Sequence, residues 1–185
     1  MAVDTQRIYA KIREESAWYW LGGILFIVMG AVAILAPLLA TLALTLLVGI
    51  LFIIGGVYEL VRALRHRGAG PVIGTTLFGI LAVAAGIVLI AFPLQGAITL
   101  TLFLGIFFIV SGLFRAIAAF NLRPSRGWGW MLFGGVVAAV IGILIFAGLP
   151  QSGLWVLGLL VGIDFVFFGT ALIAIVIAAR TAHGA

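Results

Sequence analysis

LGGILFIVMGAVAILAPLLATLALTLLVGILFIIGGVYELVRAL, residues 21–64, decides the fold. It holds two apolar runs separated at Pro37. Each is long enough to cross about 30 Å of hydrocarbon as a helix. Each also carries two glycines seven residues apart, Gly23/Gly30 and Gly49/Gly56. Seven residues make two helical turns, so both glycines of a pair lie on one face.

The rest of the chain has the same character. Of 185 residues, 65% are hydrophobic and 8% charged, where a soluble domain would carry about 25% charge. The composition predicts an all-α, polytopic membrane protein with the lipid bilayer as its main surroundings and no room for a soluble catalytic domain. There are no cysteines, which excludes disulfides, thiolate metal sites and cysteine nucleophiles. A net charge of +5 would raise nucleic acid as a partner for a soluble protein. In this chain the placement of the charges reads as topology instead, and no nucleic-acid partner is expected.

The opening pattern recurs in a countable frame. Gly23, Gly79 and Gly135 are spaced by 56, as are Gly30, Gly86 and Gly142. Gly49, Gly105 and Gly162 are spaced by 56 and then 57, and so are Gly56, Gly112 and Gly169 and the prolines Pro37, Pro93 and Pro150. One extra residue therefore enters between Gly142 and Pro150. The frame predicts six transmembrane helices as three tandem helical hairpins, at 18–67, 71–122 and 128–179, between a tail at 1–17 and a tail at 180–185. Expected helices are 18–36, 41–64, 72–92, 97–122, 128–148 and 154–179, with turns at 37–40, 93–96 and 149–153. Ile8 and Ile12, four apart, allow a short interfacial helix in the first tail. A cleaved signal peptide is set aside, because the first apolar run is longer than a signal core and matches later segments.

Within each glycine pair a β-branched residue or Ala falls between: Ile27, Ile53, Val83, Ile109, Ala139 and Val166. No hydrophobic force draws helices together in lipid, so close packing has to supply the attraction, and small residues permit it. The twelve glycines are thus expected at helix–helix seams. The competing reading is that they line a pore or substrate path.

Basic residues set the expected orientation. Arg7, Lys11 and Arg13 precede the first helix, Arg62, Arg65 and Arg67 lie at the first link, Arg123 and Arg126 at the second, and Arg180 after the last helix. The three proline turns hold no Lys or Arg. The positive-inside rule puts both termini in the cytoplasm of a multi-pass protein of the bacterial inner (plasma) membrane.

Apart from Arg62 at the end of the second helix, three charged residues fall within the helices, Glu59, Arg115 and Asp164, and such groups are costly in hydrocarbon. Glu59 and Arg115 differ by 56 and so share a depth. They read as an ion pair or snorkelled anchors, or as a cytoplasmic gate, and Arg62 offers Glu59 a local partner. Asp164, midway along the last helix, replaces Leu51 and Phe107 of the other copies. It reads either as a proton or cation site or as a hydrogen-bonding contact to a neighbouring helix or subunit. His66 and His183 read as parts of basic flanks near lipid headgroups, with acid sensing as the alternative. Enzyme motifs, metal-ligand clusters and cofactor fingerprints are absent from the sequence, so no catalytic residue, metal or cofactor is expected.

The segments WYWLGGILFIVMGAVAILAP, GTTLFGILAVAAGIVLIAFP and WGWMLFGGVVAAVIGILIFAGLP, with the glycine-rich helices after them, resemble the HdeD family of bacterial membrane proteins. The resemblance covers residues 17–180. It implies an inner-membrane protein linked to acid resistance and brings no catalytic residues with it. The function expected is therefore a non-enzymatic envelope or acid-stress protein, or an accessory one, acting through helix packing. It would work as a homo-oligomer or as a subunit of a larger membrane complex. The alternative is a proton or small-solute channel or transporter using Asp164.

Overall fold

Ala36 alone separates the first helix from the second. This computed structural model describes residues 16–64, 69–122 and 127–181, the side chains at 16–17, 69–71 and 179–181 excepted. The helices are α1 (Ser16–Leu35), α2 (Pro37–Ala63), α3 (Ala69–Ala91), α4 (Pro93–Asn121), α5 (Trp128–Ala147) and α6 (Val156–Thr181), with a 3₁₀ turn at Gln151–Leu154 before the last. No strand occurs among the described residues. All six helices are long and apolar enough to cross a membrane, with mean hydropathy from 2.1 to 2.7. Between 17% and 22% of each span is buried within the chain, which leaves most of every helix surface for lipid or another chain. The expected interfacial helix at Ile8 and Ile12, and most of the flanking basic residues, His66 and His183 included, lie outside the described residues.

The turns differ from the sequence expectation. Helices α2 and α4 restart at Pro37 and Pro93 themselves, not four residues later. Proline at the first helical position has no N–H to leave unpaired and a φ already suited to the helix. The Ala40 N–H donates to the Ala36 carbonyl at 3.1 Å and the Gly96 N–H to the Phe92 carbonyl at 2.9 Å, so helical bonding resumes directly at each bend. The third connection is longer and delays α6 to Val156. Its Ser152 Oγ donates to the Ile145 carbonyl at 2.8 Å and its N–H to the Gly148 carbonyl at 2.9 Å. The extra residue of the frame falls in the stretch that leads into this connection.

Contacts gather the chain into two compact units, one from residues 1–40 with 158–185 and the other from 41–157. In the first, α1 lies antiparallel to α6, with Gly23 opposite Gly169 and Gly30 opposite Gly162. In the second, α2 faces α3 through Gly49/Gly86 and Gly56/Gly79, and α4 faces α5 through Gly105/Gly142 and Gly112/Gly135. Each seam therefore joins helices from different hairpin copies.

The approach at these seams is close enough to exclude a side chain. A Cβ added at Gly30 would stand 2.6 Å from the Gly162 carbonyl oxygen, and one at Gly162 would stand 3.0 Å from that of Gly30. The same reciprocity holds at Gly56 and Gly79, 2.7 and 3.0 Å, and at Gly112 and Gly135, 2.5 and 2.8 Å. Backbone carbonyls so near the Cα hydrogens of the opposite helix make weak C–H···O contacts of about 0.5–1 kcal/mol each. The residue between each glycine pair then covers a glycine of the facing helix: Ile27 on Gly169, Val166 on Gly30, Ile53 on Gly86, Val83 on Gly56, Ile109 on Gly142 and Ala139 on Gly112. Ile34, Leu60, Ile90 and Ile173, each four residues after a second glycine, cover Gly162, Gly79, Gly49 and Gly23 in return.

These contacts separate two kinds of glycine. At Gly112 an added methyl would meet backbone of the facing helix, the Gly135 oxygen at 2.5 Å and the Ala139 nitrogen at 2.6 Å. At Gly134 it would meet nothing within 4 Å. Gly112→Ala is expected to destabilise the protein by about 1–3 kcal/mol. Gly134→Ala should be neutral or stabilising by up to about 1 kcal/mol through helix propensity. Reversible unfolding in detergent micelles measures both.

Candidate functional site

The polar groups inside the spans divide into those held by backbone and those facing outward. Thr41, Thr45 and Thr101 are fully buried, and Ser152 nearly so. Thr45 Oγ1 donates to the Thr41 carbonyl at 2.8 Å, and Thr99 Oγ1 to the Gln95 carbonyl at 2.9 Å, each one turn back in its own helix. Ser111 and Thr170 bond three residues back, to Phe108 and Phe167. Thr101 differs: its Oγ1 reaches the Gly153 carbonyl at 3.4 Å and so fastens α4 to the 3₁₀ turn. Gly153 can approach because it lacks a side chain; a Cβ there would lie 2.8 Å from the Ile98 Cα. These hydroxyls are bonded to backbone carbonyls, which leaves them poorly placed to hold a ligand.

Glu59 stands in the penultimate turn of α2 and pairs with Arg62, Oε1 to Nη1 at 3.3 Å. Their side chains are 24% and 50% exposed, respectively. An exposed pair three residues apart contributes well under 1 kcal/mol, so its significance lies in where it places charge. Arg115, at the matching level of α4, is exposed, and among the described residues it makes no hydrogen bond or ion pair. Its Cβ packs toward Gly135, 3.1 Å from where a Cβ would be. The shared depth read from the frame does not bring these two charges into a pair; the local partner Arg62 holds Glu59.

Asp164 is exposed on α6, two residues after the seam glycine Gly162. Beside it, Phe165 and Phe168 pack edge-on against Phe26 of α1, with ring centroids 5.4 and 5.0 Å apart. The aromatic cluster fastens α6 to α1 while the carboxyl group is presented outward, next to the exposed Ile163, Phe167 and Phe168. Among the described residues Asp164 has no hydrogen bond or ion pair. A carboxyl group eight residues into the membrane-spanning helix Val156–Thr181, held by nothing within its own unit, is the chemically distinctive feature of the chain.

Lipid-facing spans, three glycine seams and a 56-residue frame define the class, a multi-pass membrane protein built from tandem hairpin repeats. The family model described as "Short repeat of unknown function (DUF308)" matches residues 21–76 and 77–147, and the chain belongs to this HdeD/DUF308 family. The two matched segments begin 56 residues apart, the period of the glycines. The chain is similar to Protein HdeD of Escherichia coli strain K12, of Escherichia coli O157:H7 and of Shigella flexneri, 25% identical over 151 residues, which is 80% of each chain. No solved structure matches it.

Because nothing in its unit bonds to Asp164, Asp164→Asn should change the stability of the isolated chain by no more than about 0.5 kcal/mol. Glu59→Gln, which weakens an exposed pair, should cost less than about 1 kcal/mol. Denaturant titration in micelles of the two variants beside wild type checks both values.

Proposed function

We propose that this chain is a non-enzymatic protein of the bacterial inner membrane, with both termini cytoplasmic, that serves the envelope or acid-stress response by assembling with other membrane-embedded chains. The observation that carries the proposal is the outward carboxyl group of Asp164. A polar side chain in hydrocarbon gains most when it meets a partner across a helix interface, typically about 0.6–2 kcal/mol for an interhelical hydrogen bond. The seams already use the close-packing faces within the chain, so the carboxyl group is available to a neighbour. The flanking Phe167 and Phe168, 70% and 54% exposed, supply apolar surface around it. The acid-stress assignment draws on the family relationship, and the cytoplasmic termini on the positive-inside distribution of charge. The assembly is a homo-oligomer or an accessory subunit of a larger complex, and it needs no cofactor.

Native mass measurement after mild extraction tests the assembly. Wild type is expected as an oligomer or a complex. Asp164→Leu should weaken the association by about 3- to 30-fold, the loss of one interhelical hydrogen bond. Asp164→Asn, which keeps hydrogen-bonding capacity, should retain it. A plain monomeric wild type with nothing bound refutes the proposal. Proton or solute flux in liposomes that disappears in Asp164→Asn would support transport instead.

A further inference from the structure

We propose that the groove between α2 and α3 binds one phosphatidylethanolamine molecule from the surrounding bilayer. The groove has a volume of about 440 Å³ and is walled by Val48, Leu51 and Phe52 of α2 and by Phe78 and Ala82 of α3, with Tyr58 and Glu59 at one end. Its floor is Gly55. The next residue, Gly56, draws α3 in until a Cβ there would meet the Gly79 oxygen at 2.7 Å, whereas a Cβ at Gly55 would meet nothing within 4 Å. The seam that closes the helices thus leaves a depression one residue away.

The dimensions fit one lipid chain. Val48 to Glu59 spans eleven residues of helix, about 16 Å at 1.5 Å per residue. That is close to half of a hydrocarbon core about 30 Å thick, the depth of one leaflet. The apolar walls cover this depth, and the charged pair stands where the headgroups begin. Tyr58, exposed beside the pair, is a residue type that favours this level of the bilayer.

The charges select the headgroup. Glu59 and Arg62 present a carboxylate and a guanidinium 3.3 Å apart, both partly exposed. A phosphoethanolamine headgroup carries the complementary pair: its ammonium donates hydrogen bonds to the Glu59 carboxylate and its phosphate accepts them from Arg62. Phosphatidylglycerol satisfies Arg62 but sets an anionic headgroup against Glu59. The trimethylammonium of a choline headgroup has no N–H to donate.

The experiment is native mass spectrometry of the full chain in mild detergent with equimolar phosphatidylethanolamine and phosphatidylglycerol. Wild type should retain the ethanolamine lipid about three- to fivefold over the glycerol lipid, the range an exposed charge pair supports. Gly55→Leu fills the groove from open space and should abolish retention. Gly22→Leu, the same change at another position where an added Cβ meets nothing within 4 Å, should keep it. Glu59→Gln leaves the walls intact and should retain lipid without discrimination. Equal retention of the two lipids by wild type, or unchanged retention in Gly55→Leu, overturns the proposal.

Discussion

In hydrocarbon, helices gain nothing from the hydrophobic effect by meeting, so contact has to be close to stabilise. Everything else in this molecule follows from that constraint. The glycine pairs let carbonyls of one helix approach the Cα atoms of the next, and the residue between each pair fills the space over the facing glycine. A strict seven-residue spacing keeps both glycines on one face over two turns. The same spacing brings each covering side chain to the level of its target. Packing of this kind tolerates little change at the seam and much change elsewhere, which is why the outward faces carry varied apolar residues.

Much of the fold was legible because lipid imposes few solutions. Length and apolarity predict six spans, and six helices of that kind are present among the described residues. Turn geometry was less legible. The sequence predicts turns that begin at Pro37 and Pro93, yet each proline opens a helix, since proline lacks the N–H that a first-turn residue would leave unpaired. Which helices would face one another was not legible either. Sequence adjacency favours the two arms of a hairpin, but every helix carries a similar glycine face. The residues four after the second glycine, such as Ile34, Ile90 and Ile173, cover the facing glycines, and in sequence they look like any other apolar residue of a span.

The polar residues show a different limit. Their cost in hydrocarbon marked Glu59, Arg115 and Asp164 from sequence, but cost alone says nothing about direction. The frame put Glu59 and Arg115 at one depth, and depth does not fix the angle around the bundle. A residue three positions on was the nearer partner for Glu59. For Asp164 the surroundings show the direction: Phe165 and Phe168 meet Phe26 edge-on, while the carboxyl group beside them is exposed.

The pairing of α1 with α6 has a consequence for the order of synthesis. The α2–α3 and α4–α5 seams join helices that leave the ribosome one after the other. The α1 seam has to wait for the last helix. Until then the glycine face of α1 lies open in the bilayer, at risk of closing on the glycine face of another helix, since all six are built alike. The first span is therefore the one whose correct neighbour depends on the chain being finished. A prematurely ended chain would keep its two internal seams and leave α1 without its partner.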